Sequence, residues 1–335
     1  MVGYPLRFHP IYQQRVWGGH RLAHLYHRPL PTHEPIGESW EIAHRPDATS
    51  VVSNGPLAGQ SLDDLLTRHP RDLLGDALPV SGRFPLLVKI LDARDILSLQ
   101  VHPPAHRAAE LGGEPKTELW YFTEADPGAE ILVGLRRGTS RQDFERRLAD
   151  GSVAHCFHRL PVRASDAMFL PSGRVHALGA GLVLFEIQEN SDTTFRVHDW
   201  NRPGLDGHPR PLHVRESLAS IDFQDIEPSL LPHTWEAHGP CSVRHLAQHP
   251  SFAVHARKGP AGARDTFPLH RCTVLGIVRG TIQIAAATPL PVTEHLHPGD
   301  FCLLPACLRQ ARLEVVSDAE WLIATPGGNA PSPGP

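Results

Sequence analysis

The sequence predicts an all-β-dominated protein built from two jelly-roll β-barrels with a few short helices. Two observations lead to this class. The chain carries 33 prolines and 28 glycines that separate many short apolar runs along its whole length, as is typical of short strands joined by turns. A unit with the spacing small–Asp–four residues–Pro also occurs twice, at residues 165–171 and 299–305. A repeated β unit of this kind predicts two jelly rolls of the cupin type.

Length and composition limit the class of protein further. A chain of 335 residues is long enough for about two domains. Its 41% hydrophobic and 20% charged residues are ordinary for a globular protein, which excludes wholesale disorder, collagen and coiled coil. No apolar run approaches the ~18 residues of a membrane span, and the first residues have no apolar signal-peptide core. We therefore expect no membrane partner.

Charge and cysteine content bear on partners and compartment. The formal net charge is −4, so the basic footprint of a nucleic-acid-binding protein is absent. Five cysteines are scattered without a CxxC pair or another metal-binding pattern, which indicates a reduced, cytoplasmic protein. The chain has only three lysines, Lys89, Lys116 and Lys258, and its remaining basic residues are arginines. The scarcity of lysine therefore makes each of these three residues a slightly stronger candidate for a functional role.

Short apolar runs predict strands in two blocks, and β-branched and aromatic residues enrich several of them. The first block has candidates at residues 86–90, 96–101, 118–123, 130–133, 167–170, 182–188 and 194–198. The second block has candidates at residues 252–257, 272–278, 281–285, 301–304 and 319–324.

Three short helices are predicted between these strands. Ser61 is a typical N-cap residue and is followed by acids in the first turn, and Pro70 interrupts the helical pattern. Residues 141–148 read as an amphipathic helix capped by Thr139 or Ser140, and residues 213–221 are the third candidate.

The turn-rich, polar segment 226–240 (IEPSLLPHTWEAHGP) predicts a domain boundary. We expect a catalytic cupin domain over residues 1–230 and a second cupin-like domain over residues 240–325. The composition of the last residues, 326–335, predicts a disordered tail.

Three motifs of the first block carry residue types that bind divalent metals. Strand periodicity places Gln100 and His102 on one face of a strand. Lys116 and Glu118 likewise share a side, and the turn PSGRV delivers His176 to the start of the next strand. This set of oxygen and nitrogen atoms predicts a divalent metal site with open positions. Histidine suits zinc, and the oxygen ligands also suit manganese or iron.

Each motif alone has an ordinary structural explanation, because a histidine at a strand end is more often a packed or surface residue. Their occurrence together favours the metal interpretation. The second β unit supports it by contrast, since His176 stands five residues after Pro171 whereas Gln310 stands five residues after Pro305. We therefore expect the second domain to be metal-free.

Seven motifs occur in one order along the chain. They are RVWGG at 15–19, GESWE at 37–41, FPLLVK at 84–89, LQVHP at 99–103, KTELW at 116–120, PSGRVHA at 171–177 and QENSDTTFR at 188–196. With them the chain closely resembles the type I mannose-6-phosphate isomerase family in its short bacterial form, densely over residues 4–225 and loosely beyond. That family interconverts mannose 6-phosphate and fructose 6-phosphate with one zinc ion on a cupin scaffold. The resemblance therefore implies a small-molecule phosphosugar substrate.

The resemblance also assigns metal ligands. It implies that His102, Glu118 and His176 bind the zinc ion. Gln100 matches a further ligand of longer relatives, at a position where short relatives can carry another residue.

Three catalytic residues are implied by the same resemblance. Arg196 matches the family's active-site arginine, Glu186 matches a proposed acid/base carboxylate, and Lys116 matches a lysine of the pocket. Trp120 is a departure, because longer relatives can offer a different pocket residue there. The short form lacks most of their separate helical domain, which leaves the phosphate contacts open.

An isomerase of this kind forms an ene-diolate, which requires a base, an electrophile and a phosphate anchor. A metal would act there as a Lewis acid or would orient the sugar oxygens. Glu186 is an isolated carboxylate in an apolar strand, where burial would raise its pKa; the ordinary alternative is a solvent-facing or arginine-paired residue. Arg196 and Lys116 have similar alternatives as a surface ion pair and a solvated residue. They are the only cations inside the motifs and near the inferred ligands. Trp17 is expected in the core, and Asp192 is expected in a structural turn.

Two other function classes stay open at this stage. One is a metal-binding cupin that binds a phosphosugar without turnover, as a regulator or sensor. It differs from the isomerase in whether Glu186, Arg196 and Lys116 face the metal. The other is a cupin oxygenase, which would use a mostly histidine or facial-triad site. In each case we expect a monomer or a small homo-oligomer.

Overall fold

Strands make up 45% of the chain and helices 15%, which confirms the predicted all-β-dominated class. The computed structural model describes residues 2–31, 33–77, 82–285 and 292–327. No helix in these ranges is long and apolar enough to cross a membrane.

The strands of the described residues are numbered in chain order. They are β1 (Ile11–Gly19), β2 (Ile36–Ile42), β3 (His44–Arg45), β4 (Ala48–Thr49), β5 (Leu86–Ala93), β6 (Leu99–Val101), β7 (Glu118–Ala125), β8 (Glu130–Leu135), β9 (Phe157–Pro161), β10 (Ala167–Leu170), β11 (His176–Leu178), β12 (Leu182–Glu189), β13 (Phe195–His198), β14 (Glu236–His238), β15 (Cys241–His249), β16 (Phe252–Gly259), β17 (Arg264–Pro268), β18 (Thr273–Ala285), β19 (Thr293–Leu296), β20 (Phe301–Leu304) and β21 (Gln310–Pro326).

The helices are short and lie between the strands. They are α1 (Arg21–Tyr26), α2 (Leu62–Arg68), α3 (Pro70–Leu74), α4 (Ala105–Ala108), α5 (Arg141–Ala149) and α6 (Val214–Ser220). All three predicted helices are confirmed. Ser61 caps α2 in a reciprocal capping box with Asp64, and Ser140, rather than Thr139, caps α5 by accepting a hydrogen bond from the Asp143 backbone N–H.

Two antiparallel sheets form the N-terminal part of the molecule. The first has the strand order β1-β2-β5-β12-β7-β10, and the second has the order β13-β6-β11-β8-β9. Leu91, Trp120 and Leu184 from the first sheet meet Ile131 and Val133 from the second in one buried cluster. The two sheets therefore face each other across a shared core, as period-2 alternation of their apolar residues requires.

A third, eight-stranded sheet contains the strands from β14 to β21, and it packs on the other face of the first sheet. Phe185 and Ile187 of β12 belong to the same buried cluster as Phe252 and Leu303 of the third sheet. The rings of Phe185 and Phe301 lie 4.8 Å apart between centroids. The parts of the chain before and after residues 226–240 thus share one hydrophobic core.

The repeated turn of the sequence has the same conformation in both places. Its first residue lies in the left-handed region, with φ of 70° at Ser165 and 82° at Gly299. The aspartate after it accepts a hydrogen bond from the backbone N–H three residues earlier, at 2.8 Å for Asp166 and 2.9 Å for Asp300. Each turn leads into a four-residue strand, β10 or β20, so the sequence repeat is a structural repeat.

Most predicted strands are present, with differences at their ends. The predictions for β10 and β20 match the observed bounds, whereas the strand predicted from residue 96 begins at Leu99. The two strands predicted at 272–278 and 281–285 form one long strand, β18, whose register shifts near Gly280, where φ is 72°. The predictions did not include β1, β2, β3, β4, β9, β14, β15, β17 or β19. In β2 every residue is buried, including Glu38 and Glu41, so the pattern of a half-solvated strand is absent.

Hydrogen bonds from Arg244 connect the predicted boundary segment to the sheets. Arg244 is fully buried and donates hydrogen bonds to the carbonyls of Leu231 at 2.9 Å, Pro232 at 2.9 Å and Ser165 at 2.7 Å. The division into residues 1–230 and 240–325 stays a prediction. Pro326, predicted to begin the tail, is the last residue of β21, and residues 328–335 lie outside the described residues.

The shared core generates a prediction about unfolding. Phe301→Ala removes a buried ring that contacts Phe185, so we expect it to lower the free energy of unfolding by about 3–5 kcal/mol, and Phe301→Leu to lower it less. The measurement is denaturant unfolding followed by far-ultraviolet circular dichroism and tryptophan fluorescence. We expect one transition that shifts as a whole. Two transitions, of which Phe301→Ala moves only one, would contradict a shared core.

Candidate active site

Three predicted metal ligands come together although they belong to different strands. His102 directly follows β6, Glu118 begins β7 and His176 begins β11. All three are buried, and each offers a ligand atom that lies within 4.8 Å of the others. Within the described ranges this is the set of histidine, cysteine and carboxylate side chains that could hold a metal ion.

The two histidines are oriented by backbone carbonyls. His102 Nδ1 lies 2.8 Å from the Thr193 carbonyl oxygen, and His176 Nδ1 lies 2.9 Å from the Arg174 carbonyl oxygen. Because a carbonyl only accepts hydrogen bonds, each Nδ1 carries the proton and each Nε2 is unprotonated. His102 Nε2 is 3.3 Å from Glu118 Oε1, and His176 Nε2 is 3.6 Å from Glu118 Oε2. The lone pairs therefore converge on the carboxylate.

The residues fit a divalent cation. Oε2 of Glu118 and Nε2 of His102 are buried and have no hydrogen-bond partner within the described chain, and Glu118 Oε1 contacts the Lys116 ammonium. Burial lowers the pKa of His102 and lowers that of His176 to about 3. Burial raises the pKa of Glu118, but the charge of the Lys116 ammonium lowers it well below its usual range. Two neutral imidazoles and an ionised carboxylate are the protonation states that metal binding requires.

Gln100 lies beside this cluster. In the sheet register it is opposite both His176 and Arg196, and its side-chain Nε2 is 3.3 Å from His176 Nε2. The proposed ligand role of Gln100 stays a prediction.

A cavity of about 580 Å³ opens next to the cluster. Four residues that the sequence singled out line it together, namely Gln100, Lys116, Glu186 and Arg196. The fold thus brings the expected site residues to one cavity, although Gln100 and Arg196 are 96 positions apart in the sequence.

Glu186 is buried in β12 and is 3% exposed. The Trp120 indole N–H donates to Oε1 at 2.9 Å, and the Lys89 ammonium nitrogen lies 3.3 Å from Oε2. Burial and then the charge of Glu118 raise the pKa of Glu186, against the opposing charge of Lys89. The description of Glu186 as an isolated carboxylate was wrong, because cross-strand neighbours hold both of its oxygens.

Lys116 and Arg196 occupy different environments in the cavity. The buried Lys116 ammonium contacts Glu118 Oε1. Arg196 is half-buried, its Nη1 donates to the Pro211 carbonyl at 2.7 Å, and its Nε is buried with no hydrogen-bond partner among the described residues. Burial, followed by the charge of Arg210, lowers the pKa of Arg196.

Three further cations line the cavity, and one of them is Arg210. The other two, Arg15 and Lys89, belong to the quoted motifs, so the expectation that Lys116 and Arg196 are the only cations inside the motifs and near the ligands was wrong. Both contact Glu38, with Arg15 Nε 2.9 Å and Lys89 Nζ 3.5 Å from its carboxylate. Although burial raises the pKa of Glu38, the charges of Lys89 and Arg15 lower it to about 2. Both cations stand in the quoted motifs, and the scarcity of lysine was a further signal for Lys89.

Two residues assigned to structural roles also line the cavity. Trp17 is buried as expected for a core residue, and one side of it borders the cavity. Asp192, expected in a structural turn, is a cavity residue as well.

Jelly-roll sheets that hold a buried His₂Glu cluster beside a charged cavity define a metal-binding cupin. Residues 6–133 match the family model for the catalytic domain of type I phosphomannose isomerase. A mannose-6-phosphate isomerase of Streptococcus mutans is 36% identical over 309 residues, which cover 91% of this chain and 93% of that protein. The chain belongs to the type I phosphomannose isomerase family.

Solved structures agree with this assignment. The crystal structure of mannose 6-phosphate isomerase from Bacillus subtilis is 27% identical, with a TM-score of 0.85 over 96% of this chain and 99% of that one. A zinc-bound mannose 6-phosphate isomerase shares the fold with a TM-score of 0.78 at 16% identity, over 96% of this chain and 99% of its own.

The cluster generates a prediction about metal content. We expect purified protein to contain about one equivalent of divalent metal per chain, and the double variant His102→Ala/His176→Ala to contain almost none, because two of three ligands are lost. Elemental analysis measures both values.

The matched control replaces a second pair of neighbouring histidines, His245 and His255, whose rings meet edge-on in the third sheet with centroids 4.8 Å apart. His245→Ala/His255→Ala should keep its metal. Retention of metal by the His102→Ala/His176→Ala variant would contradict the assigned site.

Proposed function

We propose that the chain interconverts mannose 6-phosphate and fructose 6-phosphate in the cavity beside the His102, Glu118 and His176 cluster. The observation that carries the proposal is that the expected base and the expected cations line one cavity next to that cluster. Family membership supports the reaction, because the curated relatives that align along most of the chain are named mannose-6-phosphate isomerases. The enzyme is thus an aldose–ketose isomerase.

Glu186 moves the proton between C2 and C1 of the open-chain sugar. One carboxylate oxygen takes the proton from C2 of mannose 6-phosphate, which leaves the ene-diolate. The carboxylic acid then returns that proton to C1, and the hydroxyl proton passes from O2 to O1, which completes fructose 6-phosphate. Burial suits this role, since it raises the pKa of Glu186 towards the operating pH, where a general base is most effective.

The cations of the cavity hold a dianionic substrate in a protein whose net charge is −4. Arg196 stabilises the negative charge that develops on the ene-diolate, because its planar fork offers several fixed N–H donors. Lys116 lies against Glu118 and orients the substrate oxygens near the cluster. Such a division assigns binding to one cation and transition-state stabilisation mainly to the other.

One zinc ion per chain is the proposed cofactor, held by His102, Glu118 and His176 with Gln100 as a further ligand. Two imidazoles and a carboxylate are a donor set that zinc accepts. The zinc-bound structure of the same fold supports this choice of metal. When bound, zinc polarises or orients substrate oxygens.

A metal-binding cupin without turnover is not favoured. Such a protein would have no use for a buried carboxylate with a raised pKa at the wall of the cavity, and Glu186 is one. The oxygenase alternative is not favoured either, because a dianionic phosphosugar explains the arginines and lysines that line the cavity.

We also propose a cytoplasmic enzyme that acts as a monomer or a small homo-oligomer, without nucleic-acid or membrane partners. The five free cysteines support a reducing compartment. Light scattering coupled to size-exclusion chromatography measures the assembly state, and a large assembly would contradict the proposal.

The function is tested with Glu186. Wild-type protein should form fructose 6-phosphate from mannose 6-phosphate in a coupled assay. Glu186→Gln should keep its metal and lose ~10²–10⁴-fold in kcat, as removal of a general base typically does. Glu314→Gln, a surface carboxylate of the third sheet that pairs with Arg264, is the matched control. If Glu186→Gln keeps more than about a third of kcat, another group abstracts the proton.

The role of Arg196 generates a second expectation in the same assay. Arg196→Ala should lower kcat by ~10²-fold or more, in the range of losing one oxyanion donor, and Arg196→Lys should restore only part of the rate because the fork is lost. Arg264→Ala, which removes an exposed guanidinium of the third sheet, should leave both parameters unchanged. An increase in KM with intact kcat would instead make Arg196 a uniform binding residue.

A further inference from the structure

We infer that Trp120 is a positioning residue that links the metal ligand His176 to the base Glu186. Its indole N–H holds the carboxylate, while its ring supports the imidazole. The inference rests on the proposed function, because it takes Glu186 as the group that moves the proton. Trp120 stands where the sequence departs from longer relatives, and the resemblance assigns it no role.

Trp120 and Glu186 belong to one row of residues that crosses the first sheet. Trp40 of β2 is directly opposite Lys89 of β5, Lys89 is opposite Glu186 of β12, and Glu186 is opposite Trp120 of β7. Directly opposed residues of adjacent strands place their side chains on the same face, about 5 Å apart. The row therefore gives Glu186 one neighbour on each side, and both neighbours contact it.

The two neighbours hold the two oxygens of Glu186 in different ways. Lys89 is a cation and lies 3.3 Å from Oε2, whereas Trp120 is a neutral donor and lies 2.9 Å from Oε1. Two donors on two oxygens fix the plane of the carboxylate. A second cation in place of the indole would stabilise the ionised form further and weaken the base. The neutral N–H fixes the orientation without that additional charge.

The same indole also supports a metal ligand. Its ring meets the His176 ring edge-on, at 90° between planes and 5.3 Å between centroids. His176 is bounded on another side by the His102 ring at 5.1 Å. Trp120 is 1% exposed and belongs to the cluster between the two sheets, so neighbouring side chains hold the indole in place.

One rigid side chain thus sets the distance between the base and the metal ligand. Trp120 lies two residues after Glu118, on the same face of β7, so the ligand and the indole move as one body. A substrate placed against the cluster therefore meets the carboxylate at a fixed position. A shift of the order of 1 Å in such a geometry is enough to cost much of the rate.

The test is a double-mutant cycle of Trp120→Phe with Glu186→Gln. Phenylalanine keeps an aromatic ring beside His176 and removes the N–H. We expect Trp120→Phe to lower kcat by ~10–100-fold, as loss of a partner that orients an active-site group typically does, with KM within about threefold and about one equivalent of metal retained. In the Glu186→Gln background the same change should lower kcat less than about threefold, because the partner it orients is already disabled.

The matched control is Trp321→Phe. Trp321 is fully buried in the third sheet, and its indole N–H has no hydrogen-bond partner within the described residues. Its loss also removes a buried indole but should leave kcat unchanged. If Trp120→Phe fails to fold, benzothienylalanine at position 120 replaces only the N–H by sulfur and gives the same comparison.

The outcomes separate the inference from the function on which it rests. Full activity of Glu186→Gln would overturn the base assignment and the inference with it. Loss of activity in Glu186→Gln, together with an equal effect of Trp120→Phe in both backgrounds, would leave the base in place and reduce Trp120 to packing. An unchanged kcat in Trp120→Phe would overturn the inference alone.

Discussion

The buried charge of Glu118 is the constraint on which the rest of the site depends. An ionised carboxylate removed from water costs several kcal/mol unless opposite charges and ligands compensate for it. Glu118 is fully buried, and the Lys116 ammonium contacts one of its oxygens. A divalent cation held by Glu118 and the two histidines would supply the remaining compensation. The Nδ1–H bonds to backbone carbonyls orient the unprotonated Nε2 atoms towards the carboxylate. Because lone pairs repel a negative charge, this arrangement fits a site that a cation occupies.

The two faces of the first sheet have different roles: one carries the site residues, and the other packs against the third sheet. One face carries the row of charged and aromatic residues that includes Lys89 and Glu186, together with the metal ligand Glu118. The alternate residues of the same strands, such as Phe185 and Ile187, pack against the third sheet. Period 2 makes this division possible within a single strand. A charged row in the middle of a sheet is tolerated because its ions pair along the row and the opposite face supplies apolar burial. The third sheet therefore stabilises the site by packing. Among the described residues, the candidate metal ligands all lie in the first two sheets or next to them.

Features of the fold and the site that depend on local sequence order could be predicted, whereas features that depend on which strands pair could not. Period 2 and turn chemistry were enough to single out His102, Glu118 and His176, since each stands at a strand end that local residues define. The pairing of Lys89 with Glu186 could not be predicted this way, because it depends on which strands become neighbours. The roles of Arg15 and Glu38 were missed for a similar reason, since β1 and β2 lack the alternation that marks a half-solvated strand. Motif membership was the signal that could have found Arg15 and Glu38, and the scarcity of lysine was a further signal for Lys89.

The position of β12 has a consequence for how the molecule assembles during synthesis. β5 and β7 emerge from the ribosome first but are not neighbours, since the later β12 lies between them. Until β12 inserts, the two halves of the sheet have unpaired inner edges, and Glu186 is absent from its row. Contacts between such distant segments form slowly, because the intervening chain must be closed first. A nascent chain can therefore present His102 and Glu118 long before it can turn over sugar, and the acquisition of activity marks the closing of the sheet.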